Sequence, residues 1–266
     1  MKAKVLDLTG KEKSEMELPM QFQEEYRPDV INRACLAERT KFYQPKGAYP
    51  LAGQQTSAAY YGRRHAWRQM INTGRSHLPR EKIPGGRSGR VLIVPHAVKG
   101  RRAHPPKPSK KIVEKINLKE KNFAIRSAIN ASTQKELVSK RGHLFEGFLP
   151  LILDSSFEKV NKVKEAKKIL EAIGLKADLE KAKAGRQLRS GRARLRKGGY
   201  KQPKTALIII GEDKGVWKAT RNIAGVDTVK VSELNADLLA PGGDAGRMVI
   251  WTQAAIEKLS KDGLFV

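Results

Sequence analysis

Thr205–Ile210 reads TALIII, apolar at every position after its threonine and closed by Gly211. A strand with one face in water alternates apolar and polar residues, whereas a strand covered on both faces does not. The run therefore predicts a fully buried strand of a parallel sheet. Toward the C-terminus, Val216–Ile223 predicts a short helix and Thr228–Val231 a second strand. Ser232 is placed to cap a further helix, Met248–Trp251 predicts another strand, and Thr252 is placed to cap a helix over Gln253–Ser260. Toward the N-terminus, Leu149–Leu153 predicts one more parallel strand and Ser155-x-x-Glu158 a capped turn. Lys162–Ile173 predicts a helix with Val163, Ala166, Ile169, Leu170 and Ile173 as its apolar stripe and Gly174 at its end. Strands and helices alternate, so the expected fold class is α/β: a parallel sheet with helices on both faces, Rossmann-like, with right-handed crossovers.

The remaining globular elements follow the same signals. Residues 1–18 predict a strand, a turn at Thr9-Gly10 and a returning edge strand. Asp29 is placed to cap a helix running to about Phe42, with Val30, Ala34 and Ala37–Lys41 on successive turns and Ile31, Cys35 and Leu36 widening its apolar stripe. Asn117-x-x-Glu120 and Thr133-x-x-Glu136 have capping-box spacing. They predict helices near 110–116, 118–130 and 134–140, the last ended by Gly142.

Two stretches do not fit a compact domain. Gln44–Pro105 is 62 residues long with twelve Lys or Arg, a single acid (Glu81), eight glycines and six prolines, a net charge of +11. It has no sustained period beyond a possible strand at Val91–Val94, and a compact domain does not accommodate a structureless loop of that length. It is either disordered or ordered by a partner. Ala182–Lys204 carries nine Lys or Arg and no acid. These two runs hold +20 of the formal net charge of +26. The domain reading is therefore one globular α/β domain over 1–43 and 106–266, with the second basic run 182–204 on its surface, and a long extended non-globular basic loop over 44–105.

Such a charge excess repels itself in a free protein and calls for a polyanionic partner. Nucleic acid fits better than a membrane. No apolar run approaches the roughly 20 residues of a spanning helix, no basic amphipathic helix lines up as a surface anchor, and MKAKVLDLTGKEK lacks the apolar core of a signal peptide. The only cysteine, Cys35, excludes an internal disulfide and reads as a core side chain in a reducing compartment. In the first run the candidate nucleic-acid contacts are Lys46, Tyr60, Tyr61, Arg63, Arg64, His65, Trp67, Arg68, Arg75, Arg80, Lys82, Arg87, Arg90, Lys99, Arg101 and Arg102. Arginine can grip phosphate with two N–H groups, and the interleaved aromatics can stack on unpaired bases. Gly85-Gly86-Arg87-Ser88-Gly89-Arg90 lets backbone N–H groups come close to phosphates. In the second run they are Arg186, Arg189, Arg192, Arg194, Arg196, Lys197 and Lys201, punctuated by Ser190-Gly191 and Gly198-Gly199 so that they can follow a phosphate backbone without a helix.

An enzymatic reading finds little support. Ligands of open α/β sheets sit beyond the strand C-termini, where this chain carries Asp154, Gly211-Glu212-Asp213 and Thr252. These read as caps and loop residues. No G-x-G-x-x-G follows a first strand and no Walker A pattern occurs. Gly211-x-x-x-Gly215 reads as a turn, and Gly242–Gly246 precedes a strand rather than a helix. His65, His77, His96, His104 and His143 lack metal-ligand spacing. The expectation is no catalytic constellation, no cofactor and no metal. An RNA-modifying enzyme with a Rossmann-like cofactor domain would explain the charge but not the missing fingerprint. A DNA-compacting protein would leave the α/β domain without a role.

The motifs GQQTSAAYYGRR, GGRSGR and RRAHPPKP of the first run, with GRQLRSGRARLRKGGYKQPK directly before TALIII, resemble the archaeal branch of the universal large-ribosomal-subunit protein four family. The resemblance covers essentially the whole chain, and the end at Val266 is expected of the archaeal rather than the longer eukaryotic members. It implies a structural rRNA-binding protein, cytoplasmic in the ribosome, that supports subunit assembly. Its α/β domain is expected on the solvent side, with the long loop threading into rRNA. The loop tip, around Tyr61–Asn72, is expected to help line the peptide exit tunnel beside large-subunit protein twenty-two. Arg63, Arg64, His65, Trp67 and Arg68 are then the tunnel-side candidates, passed by the nascent peptide. Other neighbouring large-subunit proteins are implied, and neither a membrane nor a homo-oligomer is expected. The chain departs from the bacterial pattern, whose loop is shorter, so bacterial regulation such as binding its own messenger RNA is not carried over.

Overall fold

The computed structural model describes residues 2–60, 74–85, 88–196 and 198–266. Its elements in chain order are β1 (Lys2–Leu6), β2 (Glu12–Glu17), α1 (Pro28–Thr40), β3 (Arg80–Lys82), β4 (Ser88–Val91), α2 (Leu118–Thr133), α3 (Lys135–Lys140) and β5 (Leu151–Leu153). There follow α4 (Val163–Ala172), α5 (Lys176–Ala184), β6 (Gln187–Leu188), β7 (Tyr200–Lys201), β8 (Leu207–Ile210), α6 (Val216–Thr220), β9 (Asp227–Lys230), α7 (Ala236–Leu239), β10 (Val249–Thr252) and α8 (Gln253–Lys261). Contacts divide the chain into two compact units, Met1–Phe42 with Val113–Val266, and Tyr43–Ile112.

The larger unit is built on a six-stranded sheet in the order β2-β1-β5-β10-β8-β9, parallel except for the β1–β2 hairpin. Register makes it two-sided. Trp251 lies opposite Ile152, and Ile250 opposite both Leu151 and Ile208. Odd and even positions therefore feed different cores. Val5, Ile152, Leu207, Ile209, Val249 and Trp251 pack with Ile31 and Cys35 of α1, Ile125 and Ile129 of α2, and Ile256 and Leu259 of α8. Leu151, Leu153, Ile208, Ile210 and Ile250 pack with Ile169 and Leu170 of α4, Leu179 of α5 and Val216 of α6. Phe22 meets Trp251 at 5.1 Å between ring centroids, tilted by 59°. All four residues of TALIII that enter β8 are buried; each such side chain contributes about 1.5–3 kcal/mol over leaving it in water.

Several local expectations change. Helix α1 starts at Pro28, whose missing N–H costs nothing there; Asp29 lies inside the first turn and chelates Arg27 instead of capping. Leu36 is half exposed, and Glu38 takes a buried place in that helix. Residues 110–116 are not helical: the Glu114 N–H goes to the Thr40 hydroxyl (3.0 Å) rather than to a helical carbonyl, and of this stretch Ile116 packs on the core. Neither capping box closes. Asn117 makes no cap bond and Glu120 pairs with Arg33; Thr133 bonds back to Asn130 while Gln134 precedes α3. Ser232 lies in a 3-10 turn, and the cap of α7 is Asn235, whose side chain accepts from Leu238 N–H. Thr252 caps α8 as expected, accepting from Ala255 N–H at 3.2 Å.

The smaller unit, Tyr43–Ile112, is held by short main-chain pairings. β3 and β4 form an antiparallel hairpin with Arg80 opposite Val91, and Ala59 exchanges two 3.1 Å bonds with Arg80. The strand expected at Val91–Val94 ends at Val91, because Ile93 turns to φ 73° and its carbonyl receives Arg101 N–H. At Gly53, φ is 74° and a Cβ would stand 2.5 Å from Arg101 N, so two chain segments cross there at backbone contact.

Candidate nucleic-acid interface

The second basic run folds into an open hairpin. The two-residue strands β6 and β7 pair antiparallel, Gln187 with Lys201 and Leu188 with Tyr200. A 3-10 turn over Gly191–Leu195 lies between them. Main-chain bonds from Arg189 N–H to Gly199 O (2.7 Å) and from Arg196 N–H to Ala193 O (3.2 Å) hold the tip. Gly199 has φ 74°, and a Cβ would come within 2.7 Å of Arg194 O, so this position needs glycine. The guanidinium of Arg186 stacks 4.2 Å from the Tyr200 ring centre, a contact of about 0.5–1 kcal/mol at an exposed site. Arg189 donates from Nε to Tyr200 O at 2.9 Å. Arg192, Arg194, Arg196 and Lys201 are exposed and make no ion pair with any described residue. Leu195 beside them is 88% exposed. A short scaffold thus presents a dense row of cations that no acid among the described residues pairs with, an arrangement suited to phosphate contacts.

In the smaller unit, Lys46, Tyr60, Arg75, Lys82, Arg90, Lys99, Arg101 and Arg102 are exposed. Arg80 differs: it is half-buried and donates to Gly89 O (3.3 Å) and Ser76 Oγ (2.9 Å), so its guanidinium braces the β3–β4 hairpin. Arg75 bonds Ser88 Oγ. Tyr61, Arg63, Arg64, His65, Trp67, Arg68, Arg87 and Lys197, the tunnel-side candidates among them, lie outside the described residues. The two basic runs belong to different units.

The strand ends behave as caps and braces. Asp213 Oδ1 accepts from Gly215 N–H and Trp217 N–H at the start of α6. Asp154 pairs with Lys13 and with the Ser156 hydroxyl, and its pKa is lowered by those hydrogen bonds. Glu158 is buried and joins the ends of β8 and β10, accepting from Gly211 N–H (2.8 Å) and Thr252 Oγ (2.7 Å). Cys35 is fully buried, its thiol donates to Ala240 O, and burial pushes its pKa up to about 12. No group of three or more His, Cys, Asp or Glu among the described residues could hold a metal ion, and no helix among them is long and apolar enough to cross a membrane.

Two features carry no local sequence signal. Arg247, fully buried just before β10, donates to Thr205 O (2.8 Å), Leu238 O (2.9 Å) and Asp227 Oδ2 (2.6 Å). Lys204 meets the same carboxylate at 2.8 Å, so the exit of the second basic run is tied to the sheet. Next to it opens a cleft of about 840 Å³, bordered by Lys140 at the end of α3 and Arg141 just after it, Lys181 of α5, and Lys201 of β7. Its residues come from separate stretches of chain, and folding alone brings them together.

A family model described as the Ribosomal protein L4/L1 family matches residues 16–262. The chain is 47% identical to large ribosomal subunit protein uL4 of Methanoculleus marisnigri, over 98% of this chain and 99% of the relative. The counterparts from Archaeoglobus fulgidus and Methanococcus vannielii are 45% and 44% identical, each over 98% of this chain and 99% of the relative. With both basic runs and the strands β5, β8, β9 and β10 inside the matched span, this chain belongs to the Ribosomal protein L4/L1 family.

Proposed function

We propose that this chain is a structural constituent of the large ribosomal subunit, held there by rRNA contacts from both basic runs. The relatives it matches over nearly their full length are named as large-subunit proteins. The observation that carries the reading is the hairpin of the second run, whose exposed Arg192, Arg194 and Arg196 have no acidic partner among the described residues. A Rossmann-like α/β body over 1–43 and 106–266 serves as the anchor, and 44–105 is the extended segment that penetrates rRNA. It has too little apolar area to offset its own chain entropy, so it orders on binding as counterions leave the phosphates. Arg63, Arg64, His65, Trp67 and Arg68 then line the exit tunnel, beside large-subunit protein twenty-two and in the path of the nascent peptide. The protein works in the cytoplasm, inside the ribosome, and carries out no chemistry there. The test is binding of the purified chain to large-subunit rRNA with duplex DNA as competitor. Retention on rRNA against equal phosphate concentrations of DNA supports the reading; equal competition by DNA refutes it in favour of a nonspecific nucleic-acid compactor.

A further inference from the structure

The cleft beside the second basic run is a recess with a differentiated lining, not a flat basic patch. Lys140, Lys181 and Lys201 are exposed at its border. Arg141 is held there by donation to Pro241 O at 2.6 Å and to Asp244 O. His143 and its partner Asp178, deeper in the lining, are almost fully buried. The Asp178 carboxylate takes His143 Nδ1 at 2.9 Å, which leaves Nε2 without a partner among the described residues. In the neutral imidazole a donating Nδ1–H makes Nε2 an acceptor. Tyr26, half-buried, supplies an aromatic wall.

We propose that this cleft receives a single unpaired nucleotide extruded from rRNA, a reading that rests on the rRNA-binding function proposed above. The backbone of a duplex lies across a surface and needs no recess. A volume of about 840 Å³ falls in the range of roughly 300–1,000 Å³ that encloses a small ligand. Recognition of unpaired RNA works by splaying a base out, stacking it on an aromatic ring and reading its edge by hydrogen bonds. Here Tyr26 offers the ring, and His143 Nε2 accepts from an exocyclic amino group. Lys140, Lys181 and Lys201 take the flanking phosphates. The position continues the phosphate track of the hairpin, because Lys201 belongs both to β7 and to the border of the cleft.

The experiment uses the full chain and unmodified large-subunit rRNA, crosslinked by short-wave ultraviolet light, with affinity measured across a salt series for Lys140→Ala, Tyr26→Leu and Tyr26→Phe. Crosslinks to peptides containing Tyr26, Lys140 or His143 are expected. Tyr26→Leu should weaken binding about tenfold through lost stacking, Tyr26→Phe should bind as the parent does, and Lys140→Ala should lower the salt slope by about 0.7–0.9. Tyr26 also packs on the core; if Tyr26→Leu fails to fold, the crosslinks and Lys140→Ala decide. Absence of cleft crosslinks together with an unchanged Lys140→Ala overturns the proposal. If neutralising Arg192, Arg194 and Arg196 still weakens binding in that case, the rRNA-binding function stands without the cleft. If the parent chain itself shows no preference for rRNA, that function fails too.

Discussion

Replacing Arg192, Arg194 and Arg196 together by glutamine separates charge from fold. All three side chains are exposed and unpaired with any described residue, and the tip they sit on is held by main-chain bonds that glutamine keeps. The thermal midpoint should therefore not move. Each phosphate contact contributes about 0.7 to the log–log salt slope on single-stranded RNA and about 0.9 on a duplex, so three lost contacts flatten it by roughly 2 to 3 units. Between about 50 and 200 mM salt the parent chain should lose roughly 20- to 40-fold more affinity for large-subunit rRNA than the variant does. Filter binding or fluorescence anisotropy across that range reads the difference directly. A folded variant with the parental slope would remove the hairpin from the interface and with it the observation on which the functional reading rests.

Arg247→Met takes the donor from the Thr205 and Leu238 carbonyls and leaves Asp227 with Lys204, so it should cost about 2–6 kcal/mol, roughly one to three for each buried carbonyl left unsatisfied, and lower the thermal midpoint by roughly 4–12 °C; a shift under about 2 °C would contradict the bracing role. Burial pushes the Asp227 pKa up, but Arg247 and Lys204 outweigh it and hold it below the usual 3.8. Its folded pKa is thus lower than its unfolded one, so its contribution to stability is present above about pH 4 and fades as pH falls through the depressed value. Urea unfolding between about pH 2 and 5 should show a shallower pH dependence in Asp227→Asn than in the parent, and identical profiles would refute the assignment. Cys35, buried and with its pKa pushed up to about 12, should resist a thiol reagent at pH 8 until the chain is denatured; stoichiometric labelling of the native protein would show that α1 opens.

The sheet was legible because parallel strands covered on both faces leave an unmixed signal. TALIII and Met248–Trp251 have no polar position to confuse with a loop, and each falls within a residue or two of β8 and β10. Thr252 and Gly174 were readable because their roles are local: a hydroxyl facing an N–H three residues on, and a residue at φ 99°. The failures are tertiary. Ile112, Val113 and Ile116 have spacing that would serve a helix, but Thr40, from α1, takes the Glu114 N–H. Helix α5 buries Leu179 and Ala182 amid Lys176, Asp178, Glu180, Lys181 and Lys183, so its stripe is too thin to stand out and its end overlaps a charge run. The hairpin of β6 and β7 pairs residues twelve or more apart through strands two residues long, too short to show a period. The candidate contact residues were visible as composition, whereas the cleft lined by Tyr26, Lys140, His143, Lys181 and Lys201 exists only after four separate segments meet.

The central claim is that rRNA binding resides in the two basic runs, with 44–105 as the segment that enters the RNA. The most direct measurement is affinity for large-subunit rRNA across a salt series, comparing the intact chain with one whose residues 44–105 are replaced by a Gly/Ser segment of equal length. Loss of most of the affinity together with a flattened salt dependence is the predicted result. Parental affinity and slope in the replaced chain would contradict it and would assign recognition to the hairpin and the α/β body alone.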